Sequence, residues 1–163
     1  MKTSDATPCL RFLRSDSEEE TLRLGARLGE VLRPGDILCL QGELGTGKTV
    51  LVRGLARSRG YRGPVTSPSF TIIQLYPEAS VCHVDAYRLD GAGDLLDAGI
   101  EEYTDDWLCA VEWADRVRGA LPADALLVSL GYGESDNERM VRIEAEGDWD
   151  GRLAGLPGEP DDG

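Results

Sequence analysis

Two rhythms of apolar and polar positions run along this chain. After a short apolar stretch, "CLRFLR", the segment "SDSEEETLRLGARLGEVLRPGD" sets Leu24, Leu28 and Val31 at helical spacing, with Ser17 and Glu20 placed as a capping box and Pro34-Gly35 as the stop. "DILCLQ" is continuously apolar, the pattern of a strand buried on both faces of a parallel sheet. A glycine-rich loop follows, then a predicted helix from Lys48 to Ser58, ended by Gly60. "SFTIIQLY" and "SVCHVDAY" read as two strands joined at Pro77 to Ser80. The acidic segment Asp90 to Asp106 is expected to carry one or two short helices, and "WLCAVEW" to form another buried strand. "ADRVRGAL" predicts a brief helix, after which "ALLVSLGY" and "RMVRIEAEG" alternate like a closing antiparallel pair.

The loop in this pattern is "GELGTGKT", in which Gly42, Gly47, Lys48 and Thr49 match G-x-x-x-x-G-K-[ST] between a predicted strand and a predicted helix. Its glycines let backbone N–H groups turn toward phosphates, and the helix N-terminus adds the positive end of a dipole. Lys48 would neutralise the β and γ phosphates and Thr49 would ligate Mg²⁺. The chain has only two lysines, Lys2 and Lys48, and otherwise uses arginine, which marks the place where a compact ammonium fits and a guanidinium fork does not. The expected fold is therefore α/β: a P-loop NTPase-type three-layer fold with a mixed, mainly parallel central sheet and an antiparallel C-terminal edge.

A chain of 163 residues fits one domain, assigned to residues 9–147, with a mobile N-terminus over 1–8 and an acidic, Gly- and Pro-rich tail over 148–163 expected to be mobile. No apolar run approaches a bilayer span, and "MKTSDATPCLRF" has no apolar leader core, so a cytoplasmic location and no membrane partner are expected. Cys9, Cys39, Cys82 and Cys109 lie in apolar runs without C-x-x-C spacing, as buried free thiols do. A net charge of −13 disfavours direct binding to a polyanion. Arg53, Arg57, Arg59 and Arg62 cluster after the loop, as a solvated helix face or as a dock for an acidic partner.

Phosphate chemistry needs a carboxylate near the metal and a group to orient water. Asp85 and Glu112 each end a predicted strand, where ligands gather in open α/β sheets. "TSPSF", with Thr66, Ser67 and Ser69, is a hydroxyl-rich turn that would reach the γ phosphate or stand as an ordinary turn. His83 shares a strand face with Asp85 and reads as a satisfied structural group; Trp113 would cover the nucleotide or simply pack. The only asparagine is Asn137, so guanine recognition through N-K-x-D is excluded. From Leu89 to Val111 there is no basic residue, which makes a poor kinase lid.

Taken together, "GELGTGKT", "VRGLARSRG", "VTSPSFTIIQLYP", "HVDAYRL", "GIEEY" and "VEWADR", in that order, resemble the TsaE (YjeE) family, the P-loop ATPases of bacterial tRNA threonylcarbamoyladenosine synthesis. The resemblance covers about Pro34 to Leu121, and the early "SEEETLRLGARLGEVLRPGD" is similar too. It implies an ATPase, using ATP with Mg²⁺, that joins the threonylcarbamoyl-transferase subunit TsaD and its inactive paralogue TsaB, meets tRNA only through that complex, and supports its turnover. The isolated chain is expected to be a slow, monomeric ATPase.

Carried over by motif, the nucleotide-binding residues are Glu43, Leu44, Gly45, Thr46, Gly47, Lys48 and Thr49, with Val50 beside them. Ser17 and Glu18 match a segment bordering the adenine, and Trp113 a tryptophan near the nucleotide. Thr49, Glu112 and Asp85 would serve the metal, and Lys48, Asp85 and Glu112 the reaction, with Glu112 open between metal ligand and water-orienting base. Ser67, Pro68 and Ser69 match a switch-like loop, although Ser69 stands where threonine is common. Arg88 is a candidate arginine finger in cis. A nucleotide-gated assembly factor and a small-molecule or protein kinase are the rival readings.

Overall fold

Helix α1 (Glu18–Val31) begins where the sequence supplies oxygens for its free amides. Ser17 Oγ accepts from the Glu20 N–H at 3.1 Å, and the Glu20 carboxylate accepts from the Asp16 N–H at 2.6 Å, one residue before the usual partner of a capping box. Leu32 is already extended, and the helix stops there, ahead of Pro34. These details come from a computed structural model that describes residues 9–147 and 149–156 and the backbone of 159–160. The expected mobile segment 1–8 lies outside the described residues.

Among the described residues eight strands form one sheet: β1 (Cys9–Ser15), β2 (Ile37–Gln41), β3 (Ile73–Tyr76), β4 (Val81–Asp85), β5 (Leu108–Glu112), β6 (Leu126–Tyr132), β7 (Arg139–Ala145) and the two-residue β8 (Glu159–Pro160), in the order β3-β4-β5-β2-β6-β7-β1-β8. The four central strands, β4, β5, β2 and β6, run parallel. β3 is antiparallel at one edge, and β7, β1 and β8 are antiparallel at the other. The α/β architecture, mainly parallel at its centre with an antiparallel C-terminal edge, is the one the sequence pattern predicts.

Side chains of β2 alternate between two cores, as the strand period requires. Leu38 and Leu40 join α1 and α2 (Lys48–Ser58) on one face; Ile37 and Cys39 join Leu95 of α3 (Ala92–Asp97) and the short turns at Ile100–Glu102 and Ala114–Arg116 on the other. The helix pair crosses very closely. A Cβ on Gly25 would lie 2.1 Å from Leu51 O, and one on Gly54 2.0 Å from Leu22 O, so glycine is required at both crossing points. All four cysteines are buried and free.

Two expectations are corrected. "SFTIIQLY" is a strand only from Ile73; before it, Ile72 N–H donates to Pro68 O at 2.7 Å, and Ile72 takes φ 69°, a strained value for a β-branched residue. The tail from 149 to 156 does not hang free. Trp149, Leu153 and Leu156 fill the first core, Trp149 Nε1 donates to Asp124 O at 2.8 Å, and Arg152 pairs with Asp36 while lying 4.2 Å above the Trp149 ring. These apolar residues recur at one-turn spacing, a signal that the surrounding Gly, Pro and Asp outweigh in bulk composition.

Candidate nucleotide site

The site forms where β2, β4 and β5 end together. Register pairs Asp85 with Glu112 and Leu40 with Glu112, so two strand-terminal carboxylates stand beside the loop that leaves β2. That loop turns through Gly42, Gly45 and Gly47, at φ 147°, 82° and 109°. Gly42 is doubly constrained, because a Cβ there would sit 2.3 Å from Leu130 O. α2 then starts at Lys48 with no side-chain cap on its N-terminus, leaving its first amides and its dipole aimed at the loop.

Lys48 is buried under the loop. Its Nζ donates to Gly42 O at 2.6 Å and Glu43 O at 2.9 Å and lies 4.1 Å from the centre of the Trp113 ring. Burial lowers its pKa, and Glu112, Asp85 and Asp115 oppose that shift. Trp113 itself has φ 57°, one of three non-glycine residues with positive φ among those described. Such positions carry strain of about 1–3 kcal/mol each and gather at functional sites; here Ile72 and Trp113 both flank the carboxylates.

Glu112 is only 2% exposed. It accepts from Thr49 Oγ1 at 2.9 and 3.1 Å through its two oxygens, and His83 Nε2 lies 2.5 Å from its Oε2. Asp85 accepts from the Ser67 hydroxyl and, at 2.9 Å, from the Tyr87 N–H, while its own N–H donates to Ile72 O at 2.9 Å. Around these groups is a cleft of about 470 Å³, lined also by Leu44, Gly45, Gly47, Val50, Ser69 and Arg88. A second hollow of about 120 Å³ adjoins it across Gly45, Gly47 and Val50 and is bordered by Ser17, Glu18, Thr21, Thr46, Asn137 and Arg139.

Most residues singled out in the sequence thus share one continuous site. Glu43 points outward and contributes its carbonyl; Thr66 is exposed and outside the cleft; Phe70, 82% exposed, carries the Arg88 guanidinium 4.2 Å from its ring centre. The arginine cluster is not one surface. Arg59 donates to Ala79 O, Gly29 O and Leu32 O, and Arg53 to Val65 O with Glu18 at 3.6 Å, leaving Arg57 and Arg62 exposed. Asn137, Arg139 and Tyr132, whose hydroxyl donates to Leu44 O, come from the β6–β7 hairpin and have no motif that marks them.

A hydroxyl and two carboxylates form a hard oxygen donor set that suits Mg²⁺. Among the described residues no group of three or more His, Cys, Asp or Glu would hold a metal ion by itself. The set fits an ion that arrives with phosphates and takes few protein ligands. No helix among them is long and apolar enough to cross a membrane.

Residues 15–141 match the family described as threonylcarbamoyl adenosine biosynthesis protein TsaE. The tRNA threonylcarbamoyladenosine biosynthesis protein TsaE of Streptomyces coelicolor is 40% identical over 124 residues, 73% of this chain and 84% of that one. Its namesake in Treponema pallidum is 37% identical over 129 residues, 78% and 96% of the two chains. The crystal structure of YdiB from Bacillus subtilis superposes with a TM-score of 0.74 at 30% identity, covering 86% of this chain and 88% of its own.

Proposed function

The chain belongs to the TsaE family of threonylcarbamoyladenosine biosynthesis, and from that premise we propose that it binds ATP with Mg²⁺ in the 470 Å³ cleft and hydrolyses it to support turnover of the threonylcarbamoyl-transferase assembly. The observation that carries this reading is the meeting of Lys48, Thr49, Asp85 and Glu112 at the ends of adjacent parallel strands, against an uncapped helix N-terminus.

In this reading the amides of the loop and of α2 take the phosphates, and Lys48 gives up the carbonyls of Gly42 and Glu43 to meet the β and γ oxygens. Thr49 and Glu112, with Asp85 close by, would hold Mg²⁺, which would supply neutralising charge at the phosphoryl group. Glu112 orients the attacking water. Asp85 holds Ser67, and with it the Ser67–Ser69 loop, beside the γ-phosphate end. The adenine lies in the smaller hollow between Ser17-Glu18 and Asn137-Arg139.

Positive charge is short at this site. Lys48 is the buried cation, and Arg88, the one arginine lining the larger cleft, is stacked on Phe70. A site so equipped turns over slowly until a partner completes it. The proposed partners are TsaD and TsaB, with tRNA met through them.

The test is phosphate release from ATP by the purified protein, alone and with the transferase pair. A slow rate that rises on adding the pair is expected. An unchanged rate with no complex formed overturns the assembly, and net transfer of the γ-phosphoryl group to an acceptor overturns hydrolysis in favour of a kinase.

A further inference from the structure

Beneath the cleft runs a row of three buried polar side chains, two of which the proposed reaction leaves without a task. Tyr76 on β3, His83 on β4 and Glu112 on β5 are all buried, with the imidazole entirely inaccessible. Tyr76 Oη lies 3.0 Å from His83 Nδ1, and His83 Nε2 lies 2.5 Å from Glu112 Oε2. Register sets the small Ala110 directly beside His83, which leaves the ring room to reach the carboxylate one pleat further along β5. His83 does not line the cleft, so whatever it does there it does through Glu112.

Donor and acceptor roles in the row follow from elementary chemistry. Burial pushes the Tyr76 phenol up to about 12, with the charges of Tyr61 and Glu112 adding to it, so the hydroxyl keeps its proton. Among the described residues its only side-chain partner is His83 Nδ1, which then accepts. With Nδ1 accepting, the ring N–H is the one on Nε2, and it donates to Glu112 Oε2. The opposite tautomer would set a ring lone pair against a carboxylate lone pair at 2.5 Å inside the core, a buried repulsion with nothing to relieve it.

We propose that His83 is the positioning residue of this site: donating through Nε2–H, it anchors Glu112 from below and fixes where the carboxylate points. Among the described residues Thr49 is the other side chain holding Glu112, and in the proposed reaction its hydroxyl turns to the metal. His83 is then the side-chain contact that remains. A glutamate at a strand end has several side-chain torsions, and orienting water requires that they be settled before the substrate arrives.

The inference rests on the ATPase reading for its kinetic arm and stands apart from it in its spectroscopic one. The chain has one histidine, so imidazole ¹⁵N signals of the nucleotide-free, metal-free protein come from this ring alone. The expected spectrum is that of the Nε2–H tautomer, and both Glu112→Gln and Tyr76→Phe shift it. An Nδ1–H ring, or one indifferent to Glu112→Gln, overturns the anchoring. In phosphate release with the transferase pair present, His83→Leu is expected to lower kcat by about tenfold to a hundredfold, the loss of one charge-assisted hydrogen bond, with little change in nucleotide Kd. His83→Gln, which keeps an N–H donor near the place of Nε2, recovers most of the rate. A folded His83→Leu protein at the unaltered rate, or a His83→Gln protein as slow as His83→Leu, overturns the proposal. If His83→Leu does not fold, the ¹⁵N spectrum and His83→Gln decide it. No release by the unaltered protein with the pair overturns the ATPase reading, and the spectrum still decides the anchoring.

Discussion

Lys48 and Glu112 are a cation and an anion buried in one cleft, and each is surrounded so closely that its nearest chemical relative does not replace it. The Lys48 ammonium meets two carbonyls within 2.9 Å and an indole face at 4.1 Å, a space that a planar guanidinium does not enter. On the proposed reading, Lys48→Arg and Lys48→Ala both weaken ATP binding by about tenfold to a hundredfold, measured by calorimetric titration. Binding retained by the arginine variant would show the loop to be looser than its contacts. Glu112→Gln keeps the shape and removes the charge; it is expected to bind ATP and to release phosphate about a hundredfold more slowly or worse. If tRNA is still modified with that variant, nucleotide binding suffices and hydrolysis is dispensable. Lys48 was legible in the sequence because the G-x-x-x-x-G-K-[ST] spacing marks it and the scarcity of lysine elsewhere in the chain sharpens the signal. The contact of His83 with Glu112 was not, because 29 residues separate the two and no local pattern links a strand histidine to a particular strand-end acid.

At the scale of elements, the α1–α2 crossing carries the phosphate loop, since α2 begins where the loop ends. Gly54→Ala would add a good helix former and still destabilise the protein, by about 1–3 kcal/mol, because its Cβ meets Leu22 O at 2.0 Å. Gly93→Ala in α3 has open space around it and is expected to be neutral or slightly stabilising. Thermal melting of the two variants checks the pair, and equal midpoints would mean the helices separate freely. The tail is an element as well. Trp149→Ala removes a core side chain and its hydrogen bond to Asp124 O, with an expected loss of about 3–5 kcal/mol by urea denaturation. A loss below about 1 kcal/mol would return the tail to the mobile segment its composition predicts. Both helices were legible as helices. Their crossing distance was not, because a glycine within a helical pattern does not say what lies opposite.

For the whole molecule, pH tests the buried thiols. Burial pushes Cys39 from its ordinary 9.0 up to about 11, with Arg118 partly opposing. The native thiol keeps its proton where the unfolded one has lost it, so this stability is complete below pH 9 and disappears as pH rises toward 11, a change of at most about 3 kcal/mol. Urea unfolding is expected to show a flat profile from neutral pH to about 9 and a fall above it, with a shallower slope in Cys39→Ala. Equal slopes would place the alkaline sensitivity elsewhere.

What the sequence determined by itself is what short-range physics encodes. The loop from Gly42 to Thr49, α2 from Lys48 to Ser58, the capped start of α1, the buried strands β2, β4 and β5 and the family likeness all rest on residues a few positions apart, where periodicity, glycine placement and capping oxygens act directly. Only the tertiary structure decided which residues meet across longer separations. Strand order set Asp85 beside Glu112, the β6–β7 hairpin brought Asn137 and Arg139 to the smaller hollow, and the core enclosed Trp149, Leu153 and Leu156. Those meetings are fixed by packing and register summed over the whole sheet, and no single stretch of the chain contains that sum.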